Sequence, residues 1–367
     1  MNTEKFPLSF QENIIFALRT LYTRYGYRQY RMSKFEEYDL YARNKDFLIS
    51  EEVITFTDRG GKLLALKPDV TLSIVKNTAD LPEAVQKLFY NENVYRVSKG
   101  SRSFRELMQV GLEALGDVDD YCLAEVLELA ARSLQQISPD SILEISHLGL
   151  LQALIDGAGI PKEKREEALG CISQKNIHEL TALCRSWGIA DDRIWLLKQA
   201  LQTCGAPEQV LPRLKALLGS LDNGIVDQLL AITALLPQPQ LLRFDLSLVD
   251  DVHYYNGLVF KGFIQGLPSS VLSGGQYDAL MKKMGKRSRA VGFAVYLDAL
   301  ERLDREVPEY DVDTLLLYGA EASLDAIRAQ TEQLRHGGRS CLALPCIPEG
   351  MRFRQVVRVD RKEVAED

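Results

Sequence analysis

Residues 247 to 257 read Ser-Leu-Val-Asp-Asp-Val-His-Tyr-Tyr-Asn-Gly, which sets Asp250, Asp251 and His253 directly before the tyrosine pair Tyr254 and Tyr255. Carboxylates accept from ammonium and ring N–H groups, and a tyrosine hydroxyl acts either way. The rest of the stretch reads as a buried strand running into a glycine turn, so the acidic pair is out of pattern. Elsewhere the chemistry-bearing residues are sparse. Six cysteines, at 122, 171, 184, 204, 341 and 346, include no Cys-x-x-Cys pair, so neither a zinc site nor a disulfide framework is expected and the thiols read as free and buried. His147 reads as a structural capping or core histidine without a ligand role.

Composition narrows the classes further. The chain has 367 residues, long enough for one large domain plus a small one, or for two to three of average size. Lys and Arg total 44 against 51 Asp and Glu, a net charge of −7, which offers no electrostatic footprint for nucleic acid. No apolar run is long enough to span a membrane, and Met1-Asn-Thr-Glu-Lys-Phe-Pro7 lacks the regions of a signal peptide, so a cytoplasmic protein is expected.

The elements that would position these residues follow from periodicity. Ile14, Leu18, Leu21, Tyr22 and Tyr25 recur at helical spacing and stop at Gly26, which predicts an amphipathic helix with a glycine C-cap. Residues 52 to 66 alternate on either side of Arg59-Gly-Gly61, the pattern of a β-hairpin, and Lys67-Pro-Asp-Val-Thr71 leads into a short helix. Residues 89 to 116 predict two strands joined by the polar loop Val97-Ser-Lys-Gly-Ser-Arg-Ser103, with a helix from Ala124. From about 148 to 235, Leu, Ala, Glu and Lys dominate and strand-like alternation vanishes, which predicts an all-helical insertion. Alternation returns at Leu242-Arg-Phe-Asp-Leu-Ser-Leu248 and Leu258-Val-Phe-Lys-Gly-Phe-Ile264, so an antiparallel sheet resumes there. Residues 290 to 303 predict a last apolar helix, and Arg305-Glu-Val-Pro-Glu-Tyr310 a linker. Beyond it, Val312 to Gly319, a helix around 321 to 335, and Ser340 to Leu344 read as a short β-α-β fragment.

Five segments together resemble the class II aminoacyl-tRNA synthetase catalytic domain, and the histidyl-tRNA synthetase family in particular. Phe56-Thr-Asp-Arg-Gly-Gly-Lys-Leu-Leu-Ala-Leu-Lys-Pro-Asp69 resembles that family's hairpin and Arg-Pro-Glu segment, and Gln109-Val-Gly-Leu-Glu-Ala-Leu-Gly116 the end of its second motif. Tyr254-Tyr-Asn-Gly-Leu-Val-Phe260, Gly274-Gly-Gln-Tyr-Asp278 and Ala290-Val-Gly-Phe-Ala294 resemble its histidine-specific strand, glycine strand and third motif. Order and spacing agree from about residue 5 to 305. The fold implied is α+β: a class II synthetase-like antiparallel sheet flanked by helices over 1–310, with the helical insertion at about 148–235 and a short C-terminal α/β fragment at 311–367.

The resemblance also shows what has changed. Amino-acid activation needs cations on the ATP phosphates. Arg96 matches the second-motif arginine, but Ser98 stands where that motif has Glu, and Ala299 where the third motif has its arginine, with Arg302 about one helical turn further on. Asp250 stands where the histidyl enzyme has its catalytic arginine. Two unit charges about 4 Å apart interact by roughly 4 kcal/mol at an effective dielectric near 20, so exchanging attraction for repulsion there opposes adenylate formation. The roughly 60 residues after 310 are also too few for an anticodon-binding domain.

A synthetase fold without synthetase chemistry resembles the family of regulatory subunits of ATP phosphoribosyltransferase. Lys67-Pro-Asp-Val-Thr-Leu-Ser-Ile74 and Glu144-Ile-Ser-His-Leu-Gly-Leu150 fit that family. The resemblance implies no catalytic residues, no cofactor and no metal. Asp69, Thr71 and Gln109 match the contacts to the α-amino group of histidine, and Glu113 and Tyr254, with Tyr255 beside it, those to the imidazole; the arginine for the carboxylate end is missing, which leaves Arg96 or Arg102 as candidates for a carboxylate or phosphate contact. Alternatively, Glu113 pairs with Arg105 and Asp69 with Lys67 as ordinary ion pairs. The partners implied are the short-form catalytic subunit in a hetero-oligomer, a second copy of this chain through residues 10 to 40, and L-histidine, with no tRNA and no membrane. Two other classes stay open: an enzyme that still activates an acid through Arg96 and a relocated Arg302, and a scaffold that has lost its ligand.

Overall fold

Ser9 opens the fold with a capping box. Its hydroxyl accepts from the Glu12 N–H while Glu12 Oε2 accepts from the Ser9 N–H at 2.8 Å, and two of the orphan donors at the helix start are satisfied. Helix α1 (Phe10–Arg24) follows and ends where Gly26 takes a φ of +82°. The computed structural model describes residues 8–48, 52–97, 103–249, 254–303, 309–336 and 338–359. Ser98, Arg102, Asp250, Asp251 and His253 lie outside the described residues. The chain divides into a larger unit, Ser9–Arg302, and a smaller one from Leu303 onward.

In the larger unit α1 is followed by β1 (Arg28–Gln29), β2 (Phe35–Glu37), α2 (Tyr38–Arg43), β3 (Thr55–Thr57), β4 (Leu63–Leu66) and α3 (Thr71–Asn77). The long strands β5 (Gln86–Val97) and β6 (Phe104–Gly116) come next, then α4 (Asp120–Ile137) and β7 (Ser141–His147). Six helices follow without a strand between them: α5 (Leu148–Ala158), α6 (Arg165–Ser173), α7 (Ile177–Ser186), α8 (Asp191–Gln202), α9 (Pro207–Leu218) and α10 (Ile225–Ala234). The unit closes with β8 (Leu242–Phe244), β9 (Leu258–Ile264), β10 (Leu272–Gln276), α11 (Asp278–Lys283) and β11 (Arg289–Tyr296).

Eight strands form one sheet in the order β1-β5-β6-β11-β10-β9-β7-β8, and β2-β4-β3 form a small antiparallel sheet. The fold is α+β, as expected. The large sheet is antiparallel through its six central strands but parallel at both edges, where β1 pairs with β5 and β7 with β8, so it is mixed. Parallel neighbours need a crossover, and α5 to α10 supply the one between β7 and β8. The outer edge of β8 is covered in turn: Gly205 and Phe244 exchange backbone hydrogen bonds at 3.1 and 2.7 Å.

Three expectations need correction. Residues 290 to 303 are the strand β11 followed by a 3₁₀ helix, Leu297–Leu303, not one helix. Ala290, Val291, Phe293 and Val295 are all buried, so the central strand is apolar on both faces and lacks the alternation that separates strand from buried helix. Leu242 to Leu248 is a strand only to Phe244; Asp245 Oδ1 then accepts from the Ser247 N–H and hydroxyl, an Asx turn that breaks the run. The buried strand read into residues 247 to 249 is therefore irregular chain. All six cysteines are free, and Cys204 and Cys346 are exposed rather than buried.

On one face of the large sheet α1 and α4 pack together, joined by the buried contact of Tyr22 Oη with Ser133 Oγ at 2.9 Å. The ring of Tyr22 meets Phe293 of β11 edge-on at 6.0 Å, and Phe293 stands opposite Leu112 of β6. Side chains alternate along a strand, so Gln109, Gly111 and Glu113 face the other side, where the candidate site lies.

The smaller unit contains β12 (Val312–Leu317), α12 (Leu324–Arg335), β13 (Cys341–Leu344) and β14 (Phe353–Arg358) in a parallel sheet of order β13-β12-β14. Among the described residues no helix is long and apolar enough to cross a membrane.

Candidate functional site

Glu113 projects from β6 and is 2% exposed. A carboxylate placed so deep needs partners, and two hydroxyls supply them: Thr71 Oγ1 donates to Oε1 at 2.7 Å and Tyr277 Oη to Oε2 at 2.7 Å. Thr71 is the first residue of α3, and Tyr277 immediately precedes α11. Burial raises the Glu113 pKa to about 8; the two hydroxyls oppose that shift and nearby Asp69 adds to it. Room for the side chain depends on two glycines. Gly292 stands opposite Glu113 on β11, where any Cβ would overlap Glu113 Oε2, and a Cβ on Gly111 would collide with Tyr90 Oη.

Asp69 lies between Pro68 and α3. Its Oδ1 accepts from the Leu72 N–H at 2.8 Å, and Arg96 of β5 donates through Nε to the Pro68 carbonyl at 3.2 Å. Burial raises the Asp69 pKa, while the Leu72 amide and the Arg96 charge pull the other way. Gln109 is 3% exposed, and its Nε2 has no hydrogen-bond partner among the described residues. Tyr254 packs edge-on against Tyr255, ring centroids 4.8 Å apart, and against Phe47 at 6.1 Å; its hydroxyl also faces Thr71.

These residues share one cleft. Asp69, Thr71, Gln109, Glu113, Tyr254, Tyr255 and Arg96, scattered over nearly two hundred positions, all line it, and Arg96 is the only cation among its described lining residues. The alternative ion pairs do not form. Lys67, 1% exposed, bonds Glu92 at 2.5 Å, and Arg105 reaches Asp298 at 3.7 Å, so Asp69 and Glu113 are left to the cleft. Two buried carboxylates, an unpartnered amide N–H and aromatic walls suit a small ligand bearing an ammonium and a ring N–H.

The histidyl-tRNA synthetase family model matches residues 9–300, all but the last two residues of the unit that carries this cleft. The chain belongs to the histidyl-tRNA synthetase family. Within it the chain resembles the ATP phosphoribosyltransferase regulatory subunits. It is 30% identical over 303 residues to the one from Saccharophagus degradans, covering 78% of this chain and 75% of the relative. It is 29% identical over 313 residues to the one from Oceanobacillus iheyensis, covering 82% and 76%. A crystal structure described as an ATP phosphoribosyltransferase regulatory subunit/histidyl-tRNA synthetase from Bacillus halodurans superposes with a TM-score of 0.78 at 21% identity, covering 98% of both chains. A chain of the ATP phosphoribosyl transferase (HisG:HisZ) complex from Thermotoga maritima does so with 0.62 at 24%, covering 80% of this chain and 98% of that one. At these identities the structural likeness speaks for the fold.

In this histidyl-tRNA synthetase fold, Ala299 lies on the 3₁₀ helix after β11, and Arg302 is exposed and absent from the cleft lining. His147 is the N-cap of α5: its Nδ1 accepts from the Leu150 N–H at 3.3 Å, and burial lowers its pKa to about 4. Sequence reasoning missed Tyr277, the second donor to Glu113. It sat within the quoted Gly274-Gly-Gln-Tyr-Asp278 segment, but nothing local shows that a residue 164 positions from Glu113 ends beside it.

Proposed function

We propose that the chain is a non-catalytic regulatory subunit of ATP phosphoribosyltransferase, acting with the short-form catalytic subunit at the first step of histidine biosynthesis, and that histidine bound in the cleft inhibits the partner. The observation that carries this reading is selective retention. Groups suited to an amine and an imidazole converge on one cleft, while Arg302, the arginine nearest in sequence to the third-motif position, is exposed outside it. The names of the relatives support the role. By linkage, histidine inhibits only as far as it binds the inactive assembly more tightly than the active one, typically by about 1–3 kcal/mol.

The same reading takes residues 1–310 as the ligand-binding domain and 311–367 as an appended fragment, with a homodimer core inside a hetero-oligomer, no tRNA ligand and a cytoplasmic setting. The test is co-purification with the short phosphoribosyltransferase of the same genome, followed by assay with and without histidine. A complex whose activity requires this chain and falls with histidine is expected. An active complex that ignores histidine would refute the sensor.

The runner-up, an enzyme that still forms an adenylate, requires Arg302 to reach the cleft. Histidine-dependent ATP–pyrophosphate exchange at a rate typical of a synthetase would favour it over the regulatory reading.

A further inference from the structure

We infer that the contact of Lys283 with Phe47 and Asp46 is a latch that keeps Tyr254 in the cleft, so that histidine enters only while the latch is open. This rests on the reading of the cleft as a histidine site and adds a gate to it. The free volume of the cleft is about 40 Å³, against the roughly 300 Å³ at which small-molecule pockets begin. A wall must therefore move before an amino acid fits. The floor is fixed, because Gln109, Glu113, Gly292 and Ser273 stand on strands paired on both sides.

Of the lining residues outside helices and strands, Asp69 is pinned by the Leu72 N–H, and Tyr277 by Glu113 and by its own N–H on the Ala290 carbonyl at 3.0 Å. Tyr254 and Tyr255 remain, and the ring of Tyr254 is packed by other rings: Tyr255, Tyr277 at 5.9 Å, and Phe47. Phe47 is not part of the cleft lining; it backs Tyr254 from outside, at the end of the 3₁₀ turn Lys45–Phe47. Lys283 fastens that turn. Its ammonium lies 5.1 Å from the centroid of the Phe47 ring and bonds Asp46 Oδ2 at 2.9 Å. Lys283 closes α11, the helix that Tyr277 precedes, so one short helix is tied to Glu113 at its start and to the Phe47 turn at its end. The side chains of Lys283 and Asp46 are 35% and 79% exposed, and ion pairs and cation–π contacts so placed are each weak, so they bias the turn without locking it. A contact outside the cleft thus sets how often Tyr254 clears it, and the apparent affinity for the ligand scales with that open fraction.

Kinetic calorimetry with L-histidine on the full chain tests the latch. Lys283→Met keeps the apolar stem and drops the charge; it should raise the association rate and the affinity together, by about three- to ten-fold, with the dissociation rate unchanged. Asp46→Asn, which breaks only the ion pair, should give a smaller rise, and Lys283→Arg, which keeps both contacts, should match wild type. Melting temperatures verify that each chain is folded, and should Lys283→Met fail to fold, Asp46→Asn carries the same comparison. If Lys283→Met binds L-histidine at the wild-type rate and affinity, or more weakly, the contact is only structural, and the latch is overturned while the cleft reading stands. Binding by none of the four chains removes both.

Discussion

Gly292 stands directly across the β6–β11 pair from Glu113, and its missing side chain is the space that the Glu113 carboxylate occupies. The third motif therefore reaches the cleft by what it lacks. Its glycine belongs to the cleft as much as Glu113 does.

Gly292→Ala is expected to destabilise the chain by roughly 1–3 kcal/mol, because strand backbone and a doubly bonded carboxylate surround the new methyl group and neither can give way cheaply. It should also abolish histidine binding by turning Glu113 away from Thr71 and Tyr277. Urea unfolding and calorimetry check the two effects separately, and an alanine variant with wild-type stability would contradict the packing described.

Glu113 makes folding pH-dependent in an unusual direction. Its folded pKa of about 8 lies above the ordinary 4.5, so between those values the unfolded chain gives up a proton that the folded chain keeps. Its stabilising effect is fully present below pH 4.5 and is lost as the pH rises to about 8. Glu113→Gln, which keeps an acceptor for one hydroxyl and offers the other an amide N–H to accept, should lose about 2–4 kcal/mol less than wild type over that window. Parallel thermal melts from pH 5 to 8.5 supply the comparison.

His147 acts with the opposite sign. Its folded pKa of about 4 lies below the ordinary 6.5, so the unfolded chain takes up a proton first and stability falls as the pH drops from 6.5 towards 4. His147→Asn retains an N-cap acceptor without a titrating ring and should flatten that limb. His147→Ala should cost about 1 kcal/mol at every pH through loss of the cap. Melting temperatures at pH 7 and pH 4.5 distinguish the three chains.

Lys67 tests the platform beneath Asp69. Its ammonium is buried against Glu92, while its backbone N–H donates to Lys34 and its carbonyl accepts from Tyr95. Lys67→Ala strands the Glu92 charge and should cost about 3–5 kcal/mol, whereas the double change Lys67→Met with Glu92→Leu should cost much less. Chemical unfolding of wild type, Lys67→Met, Glu92→Leu and the double variant gives the coupling.

How much of this was legible in sequence varied with the range of the interaction. Helix α1 announced itself through Leu18, Tyr22 and Gly26, and the β3–β4 turn through its glycine pair, because caps and turns are local chemistry. The cleft residues were legible only through motif resemblance, since Asp69, Gln109 and Tyr254 carry no common local signal. β11 was hidden by burial on both its faces. β14 was missed because Phe353–Arg358 is too polar to read as a strand, yet it pairs with β12. The parallel edges of the large sheet were invisible too: Leu143 meets Leu242, and nothing in either segment names the other.

That last pairing bears on how the molecule assembles. Because β8 lies beside β7 but is separated from it by six helices, its register is a contact between residues about a hundred apart in the chain, which loop-closure entropy makes slow to form. A chain still emerging from the ribosome completes β7 long before β8 exists, and β9, the other neighbour of β7, comes later still. Through that interval both edges of β7 are bare and able to recruit a foreign strand. The helical segment between them is thus the timer of the fold: the sheet is sealed only after its whole length has been synthesised.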